Sequence, residues 1–180
     1  MPDQTDVPLD ASPGDRIAIA IQRFGEAEVA DRASSLLSGN NEGEEFLLWV
    51  GGQHAQGILD GAPALYWPEV WGARALLYAW DESALPAVRA GLGNQAWRVR
   101  EMSTRVVAAR ELPCSAELRS LFSDENARVR ENAARAIGFV GDYDDGVALR
   151  ELLRDPEIEV RRQTGNALKR LSERLGRPIE

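Results

Sequence analysis

The chain is short of the residues from which most catalytic and metal sites are made. Its 180 residues contain one histidine, His54, and one cysteine, Cys114. A metal centre needs several His, Cys or carboxylate ligands at matched spacings, and the sequence offers no such set. Serine-histidine-aspartate chemistry would have to recruit His54, yet no G-x-S-x-G, Walker or Rossmann pattern accompanies it. His54 follows Gly51 and Gly52 and reads as a loop or helix-surface residue. A lone cysteine excludes an internal disulfide, and Cys114, directly after Pro113, reads as a small residue at a helix start. No catalytic residue, cofactor or metal is expected.

Long apolar runs are missing too. No segment approaches the roughly 20 residues of a membrane span, and M-P-D-Q-T-D-V-P at the start lacks the basic and apolar regions of a secretory signal. A cytoplasmic protein without a membrane partner is expected. Lysine is almost absent: of 21 basic residues all but Lys169 are arginine, which favours bidentate contacts to carboxylates or other anions. Positive charge is also in deficit. Residues 1–60 hold eleven acidic residues against Arg16, Arg23 and Arg32, which accounts for the whole net charge of −8, whereas residues 61–180 hold eighteen of each sign. The basic sheath expected of a nucleic-acid binder is absent.

What is present is a repeat. The phrase N-Q-A-W-R-V-R at 94–100 returns as D-E-N-A-R-V-R at 124–130 and as D-P-E-I-E-V-R at 155–161, spacings of 30 and 31 residues. A period of that length with helical hydrophobic spacing marks stacked helix pairs. The expected fold class is all-α, an α-α superhelix, with 44% hydrophobic and 28% charged residues in keeping with one folded domain.

In order along the chain, residues 1–13 read as a mobile tail and residues 14–67 as a divergent helical part. Residues 68–175 read as the repeats and 176–180 as a C-terminal tail. The run I-A-I-A-I-Q-R-F at 17–24 fits strand or helix by periodicity; Asp15 as a cap favours helix. A second helix is expected over 26–37. A third is interrupted at Gly51 and Gly52, and a fourth follows over 53–59. Four first helices of the array are predicted near 68–80, 96–112, 126–140 and 157–175, with second helices near 83–92, 115–122 and 146–154. Val129, Ala133, Ala136, Ile137 and Val140 form one apolar stripe, and Val160, Thr164, Ala167, Leu168 and Leu171 form the next. Their small central residues let neighbouring helices approach closely. In the helix before them, Arg110 takes the last apolar slot. The carboxylates at 81–82 and 142–145 sit in turns and read as helix caps, the second group also as a weak Ca²⁺ candidate.

These residues resemble the HEAT repeat, specifically its short bacterial variety named after the phycobilisome-lyase proteins. The resemblance rests on Asp124 and Asp155 before the first helices and on the Val-Arg pairs at 99–100, 129–130 and 160–161. It rests also on Ala136 with Ile137, Ala167 with Leu168, and the leucines Leu149, Leu152 and Leu153 of a second helix. It covers about residues 68–175, with Asn94 in place of the expected Asp. It implies a right-handed superhelix whose second helices line a concave face used mostly to bind proteins, and Asp-Arg pairs six residues apart, Asp124 with Arg130 and Asp155 with Arg161, that form a ladder of side-chain and backbone contacts between adjacent repeats. Some HEAT-repeat enzymes bind iron through repeated His-Glu pairs, which this chain lacks.

Two features fall outside that scaffold. Arg89, Arg119 and Arg150 recur at one column of successive second helices, on the flank of the apolar stripe, either paired with Glu117 and Glu151 or free to hold a partner. Eight of the twelve aromatic residues lie between Phe46 and Trp97, and Trp67, Trp71 and Trp97 are the candidates for an exposed patch. The expected function is a non-enzymatic protein-protein interaction scaffold. The alternative is a HEAT-like DNA-alkylation glycosylase that stacks a base on the tryptophans and holds phosphates on the arginine row, which the acidic balance opposes. A chromophore-lyase or chaperone-like role rests on the family's name alone.

Overall fold

The computed structural model describes residues 7–180, and among them every regular element is helical. Contacts divide the chain into two compact units, Met1–Val88 and Arg89–Glu180. The first unit contains α1 (Pro13–Phe24), α2 (Glu26–Leu37), α3 (Glu44–Gly51), α4 (Gln53–Leu59) and α5 (Trp67–Ala75), followed by a 3-10 turn, Glu82–Ala84. Helix α6 (Leu85–Gly91) runs across the unit boundary. The faint repeat pattern begins with α5, yet α5 packs into the first unit, chiefly against α2. Gly72 makes that possible, since a Cβ there would lie 2.6 Å from the carbonyl oxygen of Ala33.

The ambiguous I-A-I-A-I run is helix α1, with Arg16, Ile17 and Ala20 buried at helical spacing and Ile19 41% exposed. Its cap is Ser12 and not Asp15. The Ser12 hydroxyl accepts the Asp15 amide at 3.2 Å and donates to the Asp15 carboxylate at 2.7 Å, with Pro13 opening the helix. Residues 1–6 of the expected tail lie outside the described residues. Residues 7–12 are held against the unit by Arg16. This guanidinium is 4% exposed and donates to the carbonyls of Trp49 at 3.1 Å, Leu9 at 3.4 Å and Ala11. Burial lowers its pKa from the ordinary value. Gly52, at φ +57°, closes α3 against it, because a Cβ would lie 2.6 Å from Arg16 Nη1.

The second unit contains α7 (Trp97–Arg110), α8 (Ser115–Ser120), α9 (Ala127–Val140), α10 (Tyr143–Leu149) and α11 (Ile158–Leu175). The 3-10 turns Leu121–Ser123 and Arg150–Arg154 tighten the ends of α8 and α10. The first helices α7, α9 and α11 pack side by side, and α8 and α10 form a second layer on them. Val99, Val106, Val107, Val129, Ala133, Ala136, Ile137, Val160, Ala167 and Leu171 are buried. Each large aliphatic side chain among them contributes about 1.5–3 kcal/mol relative to exposure. Val140 and Leu168 lie at the stripe edges, half-buried. Close approach again needs small residues: a Cβ on Gly138 would lie 3.0 Å from Ala167 Cα. Arg110 escapes its core slot because Glu111 turns the chain at φ +51°, leaving the arginine half-buried at the helix end.

Adjacent repeats are tied by an arginine with two jobs. Arg100 donates from Nε and Nη2 to the Asp124 carboxylate at 2.7 and 2.9 Å, and from Nη1 to the carbonyls of Asn94 and Gln95 at 2.9 and 3.0 Å. Arg130 does the same one repeat on, to Asp155 at 2.7 and 3.0 Å and to the carbonyls of Asp124 and Glu125 at 2.8 and 3.4 Å. Arg161 keeps the carbonyl half of the pattern, on Asp155 and Pro156. Each carboxylate also accepts the amide two residues on, Asn126 for Asp124 and Glu157 for Asp155, both at 2.9 Å. The six-residue Asp-Arg spacing is therefore a carbonyl contact within a repeat, and the carboxylate bond crosses to the next. Bidentate geometry with the remaining lone pairs occupied is what lets such a largely desolvated pair be stabilising.

Replacing Arg130 with Ala leaves the Asp155 carboxylate and the Asp124 carbonyl without their donor, and is expected to cost about 1–3 kcal/mol in chemical unfolding; an unchanged melting temperature would remove the tie as a source of stability. Asp155 is held below the usual carboxylate range, first by its hydrogen bond from Arg130. Its contribution is then complete above about pH 4, the unfolded value, and is lost as pH falls through the lower folded one. The stability gap between the wild type and Asp155→Asn should accordingly shrink from neutral pH into acid, and a constant gap would contradict the pairing. Ser103 Oγ is buried in α7 with no hydrogen-bond partner among the described residues. Ser103→Ala should raise stability by about 1 kcal/mol, and a drop in melting temperature would mean that the hydroxyl has a bond.

Candidate functional site

The arginine column of the second helices forms a second set of ties. Arg89 Nε lies 3.0 Å from the Glu117 carboxylate, in the first turn of α8, and Nη2 donates to the Pro113 carbonyl at 2.9 Å. Arg119 Nη1 lies 3.5 Å from Asp145, in the first turn of α10. Both acids stand where a helix N-terminus favours negative charge. Of the two acids named as possible partners for the column, Glu117 is used, by Arg89, whereas Arg119 takes Asp145 and Glu151 stays exposed. Asp145 is preset for this role: Asp142 accepts its amide and Asp145 accepts that of Asp142, both at 2.9 Å, a reciprocal capping box at the start of α10. The cap reading of 142–145 therefore holds, and among the described residues no group of three or more His, Cys, Asp or Glu is arranged for a metal.

Arg150 differs from the other two. Among the described residues no carboxylate lies within ion-pair range of it. It sits in the 3-10 turn Arg150–Arg154, where a three-residue period places Arg150 and Leu153 on one face. Leu153 is 41% exposed and Val147, one turn earlier, 42%, although Leu149 and Leu152 are buried. Of the three leucines of this second helix, Leu153 is the one that the tightened turn leaves outward. Val147, Arg150, Leu153 and Arg154 thus form an exposed mixed strip at the end of the second layer. At the other end, Arg89 and Glu117 lie on the wall of a groove of about 630 Å³, also lined by Leu92, Asn94, Arg100 and Leu121.

The aromatic candidates separate by burial. In the first unit Trp71 is 2% exposed and belongs to the core with Phe46 and Trp49. Trp67 is half-buried, stacks on Trp71 at 6.2 Å and 24°, and meets Tyr66 at 5.4 Å. His54, exposed on α4, rests its ring on both tryptophans at 4.9 and 5.1 Å. Trp71 offers no free ring to a ligand and serves as the floor under Trp67. Trp97, in the second unit, opens α7 half-buried beneath the Arg98 guanidinium, 4.4 Å from the ring centroid. Cys114 caps the start of α8, fully buried; burial raises its thiol pKa against the opposing pull of Arg89.

Sequence reasoning missed Arg16, Asp145 and the outward Leu153. A basic residue inside an apolar stretch gave no sign of burial, but D-Y-D-D at 142–145 carried the capping-box spacing that presets Asp145. Among the described residues no helix is long and apolar enough to cross a membrane.

A comparison with curated proteins finds no match. A protein-family model described as HEAT repeats matches residues 110–169, which span α8, α9, α10 and most of α11, so this part of the chain carries a HEAT-type repeat domain.

Proposed function

We propose that the protein is a non-enzymatic protein-binding adaptor, and that the helix pairs of Arg89–Glu180 form a short HEAT-type solenoid of the phycobilisome-lyase-type variety. The observation that supports it is the strip Val147, Arg150, Leu153 and Arg154, where exposed aliphatic side chains alternate with an arginine that has no carboxylate partner among the described residues. Aliphatic contacts with an arginine anchor suit a protein surface carrying apolar residues and an acid. Arg89 and Arg119 extend the column, but their charges are partly neutralised by Glu117 and Asp145. They serve first to orient the second helices and then as the polar border of the surface. Trp67, on its Trp71 floor, and Trp97 are secondary contact candidates, each within its own unit.

The nucleic-acid alternative would need the arginine column for phosphates, and two of its three members are engaged by carboxylates. No DNA retention at low salt is expected.

The test is a comparison of Arg150→Ala/Leu153→Ala with the wild type. Both side chains are exposed, so the melting temperature should change little. Capture of the native partner from cell extract, identified by mass spectrometry, should fall about tenfold or more. Undiminished capture would reject the strip, and salt-sensitive DNA retention lost in the same variant would favour the glycosylase-type reading.

A further inference from the structure

The first unit carries an apolar groove of about 380 Å³ between the α2–α3 loop, α3 and α5. Leu36 forms its buried floor, and Leu47, Leu59 and Pro68 its half-buried walls. Leu65 stands on the lip, 70% exposed, with its backbone at φ +49°. A leucine in the left-handed region is strained, and an exposed side chain recovers none of that cost by burial. Three carboxylates line the same groove. Glu42 is engaged by Arg32 at 3.4 Å; among the described residues Glu44 and Glu69 have no cationic partner.

The field around the groove has the same sign. Met1–Val88 holds fourteen acidic residues against Arg16, Arg23, Arg32 and Arg74, a balance of −10, while Arg89–Glu180 balances at +2. Arg16 is buried on carbonyls and Arg32 is spent on Glu42 and on the faces of Phe46 and Phe24, so Arg32 neutralises Glu42 while neither arginine pairs with Glu44 or Glu69. The occupant must therefore bring both apolar side chains and positive charge. The chain's own first six residues carry Asp3 and Asp6 and no basic residue, and do not qualify.

We propose that this groove docks a basic amphipathic segment of a partner protein, seating a Leu- or Ile-like side chain between Leu36, Leu47 and Leu59 with a flanking Lys or Arg on Glu44 and Glu69. The groove volume is at the lower end of the range for ligand pockets, and complementary charge supplies encounter rate and orientation. This site is separate from the strip at Arg150 and stands or falls without it.

The probe is a fluorescein-labelled amphipathic helix of Leu and Lys, with a counterpart in which Glu replaces every Lys. Anisotropy titration of the full chain should show saturable binding of the Lys peptide, weakened by salt, and none of the Glu peptide. Glu44→Lys/Glu69→Lys should weaken binding about tenfold or more. Glu28→Lys/Asp31→Lys makes the same charge change on exposed positions of α2 outside the groove and should weaken it far less. Leu65→Gly should weaken binding while keeping the melting temperature, since it relieves the backbone and removes little buried surface. Equal losses in the two charge-reversal variants would mean diffuse attraction to an acidic surface and overturn the groove. So would self-association in sedimentation that Glu44→Lys/Glu69→Lys abolishes, because the occupant would then be a second copy of the chain.

Discussion

Arg100 and Arg130 each hold two things at once: the loop carbonyls that open their own repeat and the carboxylate that opens the next. The rest of the second unit depends on that bond. A single helix pair of this length cannot cover its own apolar stripe, and stacking must fix both the distance and the rotation between pairs. Apolar packing is non-directional and leaves the rotation loose. A planar guanidinium bonded on two edges does not. Because the same aspartate also accepts the amide of the N-cap residue of the following helix, Asn126 or Glu157, the position where one repeat starts is tied to the helix before it.

The pattern also explains its own exceptions. Asn94 opens the array, and the residue in the Arg130 column one double repeat earlier is Glu69, so no arginine precedes Asn94 to require a charge. Asparagine still supplies the oxygen that accepts the Ala96 amide, at 2.8 Å. At the other end Arg161 keeps its carbonyls. The second column behaves alike: Arg89 and Arg119 reach an acid in the next second helix, while among the described residues Arg150 meets none.

Charge divides with the fold. The acidic excess belongs to a unit that runs to Val88, past the point where repeat spacing becomes visible. Within that unit the arginines are consumed locally, Arg16 by three carbonyls and Arg32 by a glutamate and two rings. What remains at its apolar groove is carboxylate. The two units thus offer different chemistry, aliphatic with free arginine in one and aliphatic with free glutamate in the other.

Helix positions, the apolar stripes and the residues of the repeat ties were legible in the sequence alone, because each is a periodic or short-range pattern: helical spacing, a breaker pair at Gly51 and Gly52, and an Asp-to-Arg phrase repeated every thirty or so residues. That each carboxylate bonds the arginine of the preceding repeat, and not the one six residues on, was not. The recurring arginine column was legible too, but not its partners, since whether Arg119 meets Glu151 or Asp145 depends on which helix start the stacking brings near. Burial of Arg16 and Trp71, the outward turn of Leu153 and the strained lip at Leu65 were decided by tertiary structure only. Each depends on what another part of the chain presents at that point, a carbonyl cluster, a helix packed through Gly72, a 3-10 tightening or a groove wall, and none of these is a property of local spacing.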